Sequence, residues 1–178
     1  AGGAAIALAM KDSLGNVASG IIILINRPFI RGDFIETAGA SGVVQGIDLM
    51  VTTLKTYDNK IIAVPNGAIT SSVLVNHTKE ETRRVDFKFT VGYDSDLSKV
   101  RDTLLAVAES CPDVFKTPEP FFGVSAHGDS AIEIEFKVWC ETPKYWGVKY
   151  YLQEQVKIAF DEADINIPYP QMDIHMVK

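Results

Sequence analysis

The side chains best suited to metal ligation or proton transfer here are three histidines, His77, His127 and His175. They are scattered along the chain, and no H-x-x-x-H, C-x-x-C or carboxylate–histidine cluster surrounds any of them. Each reads as a surface or satisfied core residue, and neither a metal nor a cofactor is expected. Cys111 and Cys140 lack metal-binding spacing and allow at most one bridge, so they read as reduced, structural thiols of a cytosolic compartment. Ser13 and Ser41 stand near glycines but outside any G-x-S-x-G elbow. The chain has no Walker A or G-x-G-x-x-G loop to cradle a phosphate. Asp94 and Asp96 suit a helix cap, and Glu133 and Glu135 suit the wet face of a strand. Asn76-His77-Thr78 fits the glycosylation sequon by chance. Pro65-Asn66-Gly67 reads as a β-turn, and Trp146, Tyr150 and Tyr151 read as helix packing. No enzyme can be built from these parts.

The elements that carry these residues fall into three segments. The chain has 178 residues, 47% of them apolar, with a net charge of −6 and a pI near 5.0. An acidic balance with no basic stripe argues against nucleic-acid binding. The mean hydropathy of +0.08 is high for a chain with 22% charged residues, and the excess sits at the front. Residues 1–26 carry only the adjacent charges Lys11 and Asp12, and the first ten residues have no polar side chain. Ala and Gly dominate the first nine positions, the composition that lets helices approach closely in lipid. A run Ile21-Ile22-Ile23-Leu24-Ile25 follows. The stretch lacks the basic n-region of a signal peptide, and the chain is expected to begin within an element of a longer protein.

Beyond Arg27-Pro28-Phe29, residues 33–37, 43–48, 50–55 and 60–64 are short β-branched runs separated by turn formers. They predict a small all-β barrel over about 30–80. The charged stretch 79–84 is a connector. Val85, Phe87, Phe89, Val91 and Tyr93 then alternate with polar residues, the period of a half-buried strand. Leu97, Val100, Leu104, Val107 and Cys111 repeat at helical spacing behind Asp94-Ser95-Asp96, which offers a cap. Strands at 121–126 and 132–138 flank a turn at Gly128-Asp129. A second helix carries Val148, Leu152, Val156, Ala159 and Ala163 on one face, and residues 172–177 predict a last strand. The order βαββαβ is that of the ferredoxin-like split unit.

Several motifs occur together and in order. These are Ser13-Leu14-Gly15-Asn16-Val17-Ala18-Ser19-Gly20, then Asn26-Arg27-Pro28-Phe29 with Gly32-Asp33, then Val64-Pro65-Asn66-Gly67. Arg83-Arg84, Tyr93-Asp94-Ser95-Asp96 and Ile167-Pro168-Tyr169-Pro170-Gln171-Met172-Asp173 complete the set. With these motifs essentially the whole chain resembles the small-conductance mechanosensitive channel (MscS) family. The resemblance implies a membrane channel subunit of three parts: a pore-lining transmembrane helix over 1–28, an Sm-like β-barrel over 29–80 and a ferredoxin-like α+β domain over 81–178. It implies a homoheptamer in the bacterial inner membrane, with residues from about 29 onward cytoplasmic and two further membrane helices preceding Ala1. Lipid, permeant ions and small solutes are the implied partners. Lateral tension would open the pore and release solutes in hypoosmotic shock.

Carried over by position, the family's two rings of gate residues fall on Ala4 and Leu8, one turn apart on one helix face. Leu8 suits an apolar constriction that water leaves. Ala4 departs from the large residue expected, so the seal rests on Leu8 alone or draws on Ile6. The family's hinge glycine falls on Asp12, which leaves Gly15 and Gly20 as hinge candidates. Lys11 and Asp12 become rings of charge that either tune ion preference or pair between subunits. Pro65, Asn66 and Gly67 form the barrel motif. The alternative from another class is a soluble Sm- or OB-like RNA- or ligand-binding module fused to a ferredoxin-like domain, predicted to be a detergent-independent monomer. The pI and the absence of an aromatic-interleaved basic surface disfavour it.

Overall fold

The computed structural model describes residues 2–177. Ala1 and Lys178, the ends of the expected first and third segments, lie outside the described residues. The chain divides into two compact units, Ala1–Glu80 and Glu81–Lys178.

The first unit opens with helix α1 (Gly2–Asn26), which is unbroken over 25 residues. At 1.5 Å per residue that is about 37 Å. It is long and apolar enough to cross a membrane, whose hydrocarbon core is about 30 Å thick. Four strands follow, β1 (Phe34–Thr37), β2 (Ala40–Ile47), β3 (Val51–Lys55) and β4 (Ile61–Pro65), then helix α2 (Asn66–Thr70) and strand β5 (Leu74–Asn76). They form one antiparallel sheet in the order β4-β3-β2-β1-β5. A bulge between Val44 and Gly46 shifts the β2–β3 register. The core gathers Ile35, Val44, Leu54 and Val64 from the strands, Ile69 from α2, Phe29 from the connection and Ile23 from α1.

Pro65-Asn66-Gly67 is not the expected β-turn. Pro65 closes β4 and serves as the N-cap of α2, where its extended φ of −56° and ψ of 133° feed directly into the helix. A proline needs no amide partner at that boundary, so a turn-forming triplet opens a helix instead of reversing the chain.

The second unit comprises β6 (Thr82–Val91), α3 (Leu97–Ser110), β7 (Phe121–His127), β8 (Ile132–Glu141), a 3-10 turn (Thr142–Lys144) and α4 (Tyr145–Glu162). The sheet order is β6-β8-β7. Strict alternation buries Val85, Phe87, Phe89 and Val91 of β6 against Ile132, Ile134, Phe136, Val138 and Cys140 of β8. The opposite face is wet and paired, as in Lys88–Glu133 and Arg84–Asp86. Helix α3 starts at Asp96, whose carboxylate accepts the Ser98 and Lys99 amides, a side-chain cap for otherwise unsatisfied donors. Cys111 and Cys140 are buried free thiols, and burial pushes the Cys140 thiol up.

Four expectations are corrected here. Strand β6 ends at Val91, so Tyr93 is exposed beyond it, its hydroxyl donating to the Gly128 carbonyl. The core residue near the end of α4 is Phe160, while Ala159 and Ala163 only fringe the core. Trp146 is 47% exposed and stacks on exposed Tyr150, with Tyr151 exposed beside them; only Tyr145 packs on the core, under the Arg83 guanidinium. The aromatic spacing of α4 wraps past the face that Val148, Leu152, Val156 and Phe160 already fill. Residues 172–177 form no strand, and the described order is βαββα.

Phe136 has no exposed surface and touches Phe89 across the sheet. Truncating a buried Phe leaves a cavity worth about 3–5 kcal/mol. Phe136→Ala is therefore expected to lower the unfolding free energy of the second unit by that amount. Tryptophan fluorescence reads it, because Trp139 and Trp146 both lie in this unit.

Candidate functional site

Helix α1 divides by burial at Asn16. Every described residue from Gly2 to Gly15 is exposed, although most are apolar; Leu8 is 74% exposed. Beyond it, Asn16, Ser19, Gly20 and Ile23 follow the i, i+3, i+4, i+7 spacing of one helix face, and this face meets the β domain. Ile23 is 1% exposed in the core. The Gly67 N–H donates to Asn16 Oδ1 (2.8 Å), and the Thr70 hydroxyl donates to Ser19 Oγ (2.9 Å). At Gly20 the helix backbone comes so close that a Cβ would collide with the Leu49 carbonyl oxygen and lie 2.6 Å from Asn66 Nδ2. Only glycine fits.

Under Gly20 lies Asn66, fully buried. Its Nδ2 donates to the Asp48 and Leu49 carbonyls (2.8 and 2.9 Å), and its Oδ1 accepts the Thr52 hydroxyl (2.8 Å). Its own N–H donates to the Met50 carbonyl (2.9 Å). A buried amide with every group engaged is a rigid fixture. It pins the β2–β3 connection to the start of α2 and lies directly beneath α1 at Gly20. The barrel motif thus carries a position-by-position role: Pro65 starts α2, Asn66 cross-links beneath the helix, and Gly67 presents a bare amide to Asn16.

The exit of the helix is fixed by a second network. Arg27 ends α1 in the left-handed region, φ 47°, its N–H donating to Ile23 O. Phe29 plugs the core at 1% exposure. Asp33 then gathers the elbow: Oδ2 accepts the Ile30 N–H and Asn76 Nδ2 (both 2.9 Å), and Oδ1 accepts the Thr78 hydroxyl (3.0 Å). Partial burial would raise this carboxyl, but the hydrogen bonds from Ile30, Asn76 and Thr78, with the nearby Lys79 charge, hold it below the usual 3.8. Sequence reasoning missed Asn16, Ser19 and the Asp33–Asn76–Thr78 set. The first two carry a helical-spacing signal ahead of Gly20; the third joins residues more than forty positions apart and carries none.

The other sequence-derived candidates lie on the exposed part of α1. Ala4 and Leu8 share a face one turn apart. Lys11 and Asp12 are exposed, with no ion pair among the described residues. A Cβ on Gly15 would meet nothing within 4 Å, so of the two hinge candidates Gly20 is clamped and Gly15 is open. Among the described residues no three His, Cys, Asp or Glu side chains converge to hold a metal ion.

Residues 12–79 match the family described as mechanosensitive ion channel, beta-domain, and residues 85–167 match mechanosensitive ion channel MscS, C-terminal. The small-conductance mechanosensitive channel of Edwardsiella ictaluri is 34% identical over all of this chain. An MscS family protein of Synechocystis is 36% identical over 98% of it. The chain spans 62% and 59% of these two relatives. The crystal structure of Helicobacter pylori MscS in its closed state superposes with a TM-score of 0.92 at 32% identity, covering 99% of this chain and 70% of that one.

Two outcomes follow from the anchor and the elbow. Gly20→Val is expected to lift α1 from the β domain and loosen the elbow, so that trypsin cuts faster after Arg31, which is already on the surface; unchanged cleavage would show that the close approach is dispensable. Asp33 has a lowered folded carboxyl, so its contribution is complete above the unfolded value near 3.8 and disappears as the pH falls through the lower folded one. The stability gap between the native chain and Asp33→Asn should be constant above about pH 5 and shrink below 3.8, measured by denaturant unfolding across that range.

Proposed function

This chain belongs to the MscS family of mechanosensitive ion channels, a channel family rather than an enzyme class, and from that premise we propose that it forms a tension-opened channel. In this reading a homoheptamer sits in the bacterial inner membrane with residues from about 29 onward cytoplasmic. It opens under lateral tension and releases ions and small solutes in hypoosmotic shock.

One observation carries the reading: an apolar helix exposes all of its described residues from Gly2 to Gly15 while its second half is locked to a folded domain. Exposed apolar surface on that scale needs a cover, and lipid with neighbouring helices supplies it. The two sides of the helix differ. Ile6, Met10, Leu14, Val17, Ile21 and Leu24 make a bulky face at helical spacing, suited to lipid and packing. Ala4, Leu8, Lys11 and Gly15 make a second stripe about 140° around the helix from it, which suits a pore wall. Leu8 is the one bulky apolar residue on that stripe, so a ring of Leu8 closes the path by dewetting while Ala4 lets the helices crowd together. Gly15, unclamped, takes the bend when the pore widens. Met172, Ile174 and Met176 alternate with polar residues and are exposed, which suits a strand completed by other copies.

The full-length protein, reconstituted in liposomes and patched under suction, is expected to show conductance steps that depend on tension, and its native mass in detergent should be that of a heptamer. The absence of tension-activated conductance would overturn the proposal. Within it, Leu8→Ser should wet the constriction and lower the opening tension, since each buried Leu side chain contributes about 1.5–3 kcal/mol to staying dry; an unchanged threshold would remove Leu8 from the gate.

A further inference from the structure

Helix α4 ends against its own electrostatics. Its last turn holds Asp161 and Glu162 and no basic residue, although the last carbonyls are the negative end of the helix dipole, where cations are favoured. The chain then closes a Schellman turn. The Ile165 N–H donates to the Phe160 carbonyl (2.8 Å) and the Asp164 N–H to the Asp161 carbonyl (3.2 Å). The left-handed position of such a turn is ordinarily glycine, sometimes asparagine; here it is Asp164, at φ 52°. A third carboxylate therefore stands where glycine is the usual residue and negative charge is disfavoured. The Gly92 N–H, donating to the Asn166 carbonyl (3.0 Å), holds the returning segment beside the end of β6. Between α4 and this segment lies a cavity of about 340 Å³, within the size range of small-molecule sites. Buried Phe160 and Ile165 form its floor, with Ile167 and exposed Tyr169 beside them. Its charges are Lys157, Asp161 and Asp164. Lys157 pairs with Asp161, so Asp164 has no ion pair among the described residues and the cavity keeps one negative charge in excess.

We propose that this cavity binds a small organic monocation, an ammonium group on a short apolar stem. The ammonium sits beside Asp164, where it neutralises both the unpaired carboxylate and the carbonyl end of α4. The stem covers Phe160, Ile165 and Ile167, apolar surface that a bare inorganic ion would leave wet. The Tyr169 ring adds an aromatic face for the cation. One positive charge is preferred to two, because Lys157 already holds Asp161. The site lies wholly within the second unit, and the inference stands apart from the channel reading.

The test titrates the full-length protein with n-butylammonium chloride and follows binding by ligand-observed NMR. Saturable uptake of one n-butylammonium per chain is expected, with ammonium chloride and sodium butyrate both binding more weakly. Asp164→Asn keeps a residue that accepts the left-handed turn and removes only the charge, so the unfolding midpoint should hold while affinity falls about tenfold or more. Lys157→Met releases Asp161. It should tighten n-butylammonium binding and make 1,4-diaminobutane the better ligand, whereas a merely structural role for the Lys157–Asp161 pair would weaken both. The proposal is overturned by a native protein with no saturable uptake, by Asp164→Asn binding as the native chain does, or by Lys157→Met binding more weakly. Ammonium chloride binding as tightly as n-butylammonium would overturn the apolar-stem part.

Discussion

The first unit depends on a contact between two backbones. At Gly20 the helix comes down onto the Leu49 carbonyl and the Asn66 amide with no side chain between. An approach that close is favourable only if the polar groups underneath are already satisfied, since a buried unpaired amide costs about 1–3 kcal/mol. Asn66 meets this condition by spending both amide hydrogens on Asp48 and Leu49 and its oxygen on Thr52. The helix then adds its own contribution, Asn16 capturing the Gly67 N–H and Ile23 filling the core. A helix whose first half buries nothing within the chain is thereby given a defined direction by its second half.

That arrangement separates two jobs along one helix. Residues from Gly2 to Gly15 are free of the β domain, so their side chains are chosen by what lies outside the chain: bulky residues on one side, small or polar residues and Leu8 on the other. Residues from Asn16 onward are chosen by the fit to Asn66 and Gly67. The elbow that follows is stiffened by Asp33, whose carboxylate draws Ile30, Asn76 and Thr78 together, and by Phe29 in the core. Of the two glycines nearest this boundary, Gly15 is open and Gly20 is clamped.

The second unit was legible to the extent that its periodicities were unopposed. The period-2 runs around Phe87 and Phe136 have one dry and one wet face, and a one-residue slip would invert both; the observed register pairs them directly, Phe87 with Phe136. Helix α4 is legible on its Val148–Leu152–Val156 line and misread at Trp146, because large aromatic residues suggest burial although Trp146 lies about 160° around the helix from Val148. Met172, Ile174 and Met176 have a strand's alternation, but alternation gives no partner, and the described chain offers them none.

From the sequence alone came the apolar front segment, its helical nature, the order of β and α+β segments, and the candidates Ala4, Leu8, Lys11, Asp12, Gly15 and Gly20, because composition and period are local properties. The tertiary structure decided what those positions do relative to one another. Pro65-Asn66-Gly67 has the composition of a turn and folds as a helix start, since Asn66 finds its partners in the β2–β3 connection rather than in its neighbours. Gly20 and Gly15 look alike in sequence, and only the presence of Leu49 and Asn66 over one of them distinguishes a close contact from a free joint. Lys11 and Asp12 are adjacent in sequence, yet a helix turns them about 100° apart, and it is the anchor at Asn16, formed with a residue on a distant loop-to-helix junction, that gives this angle a direction in space.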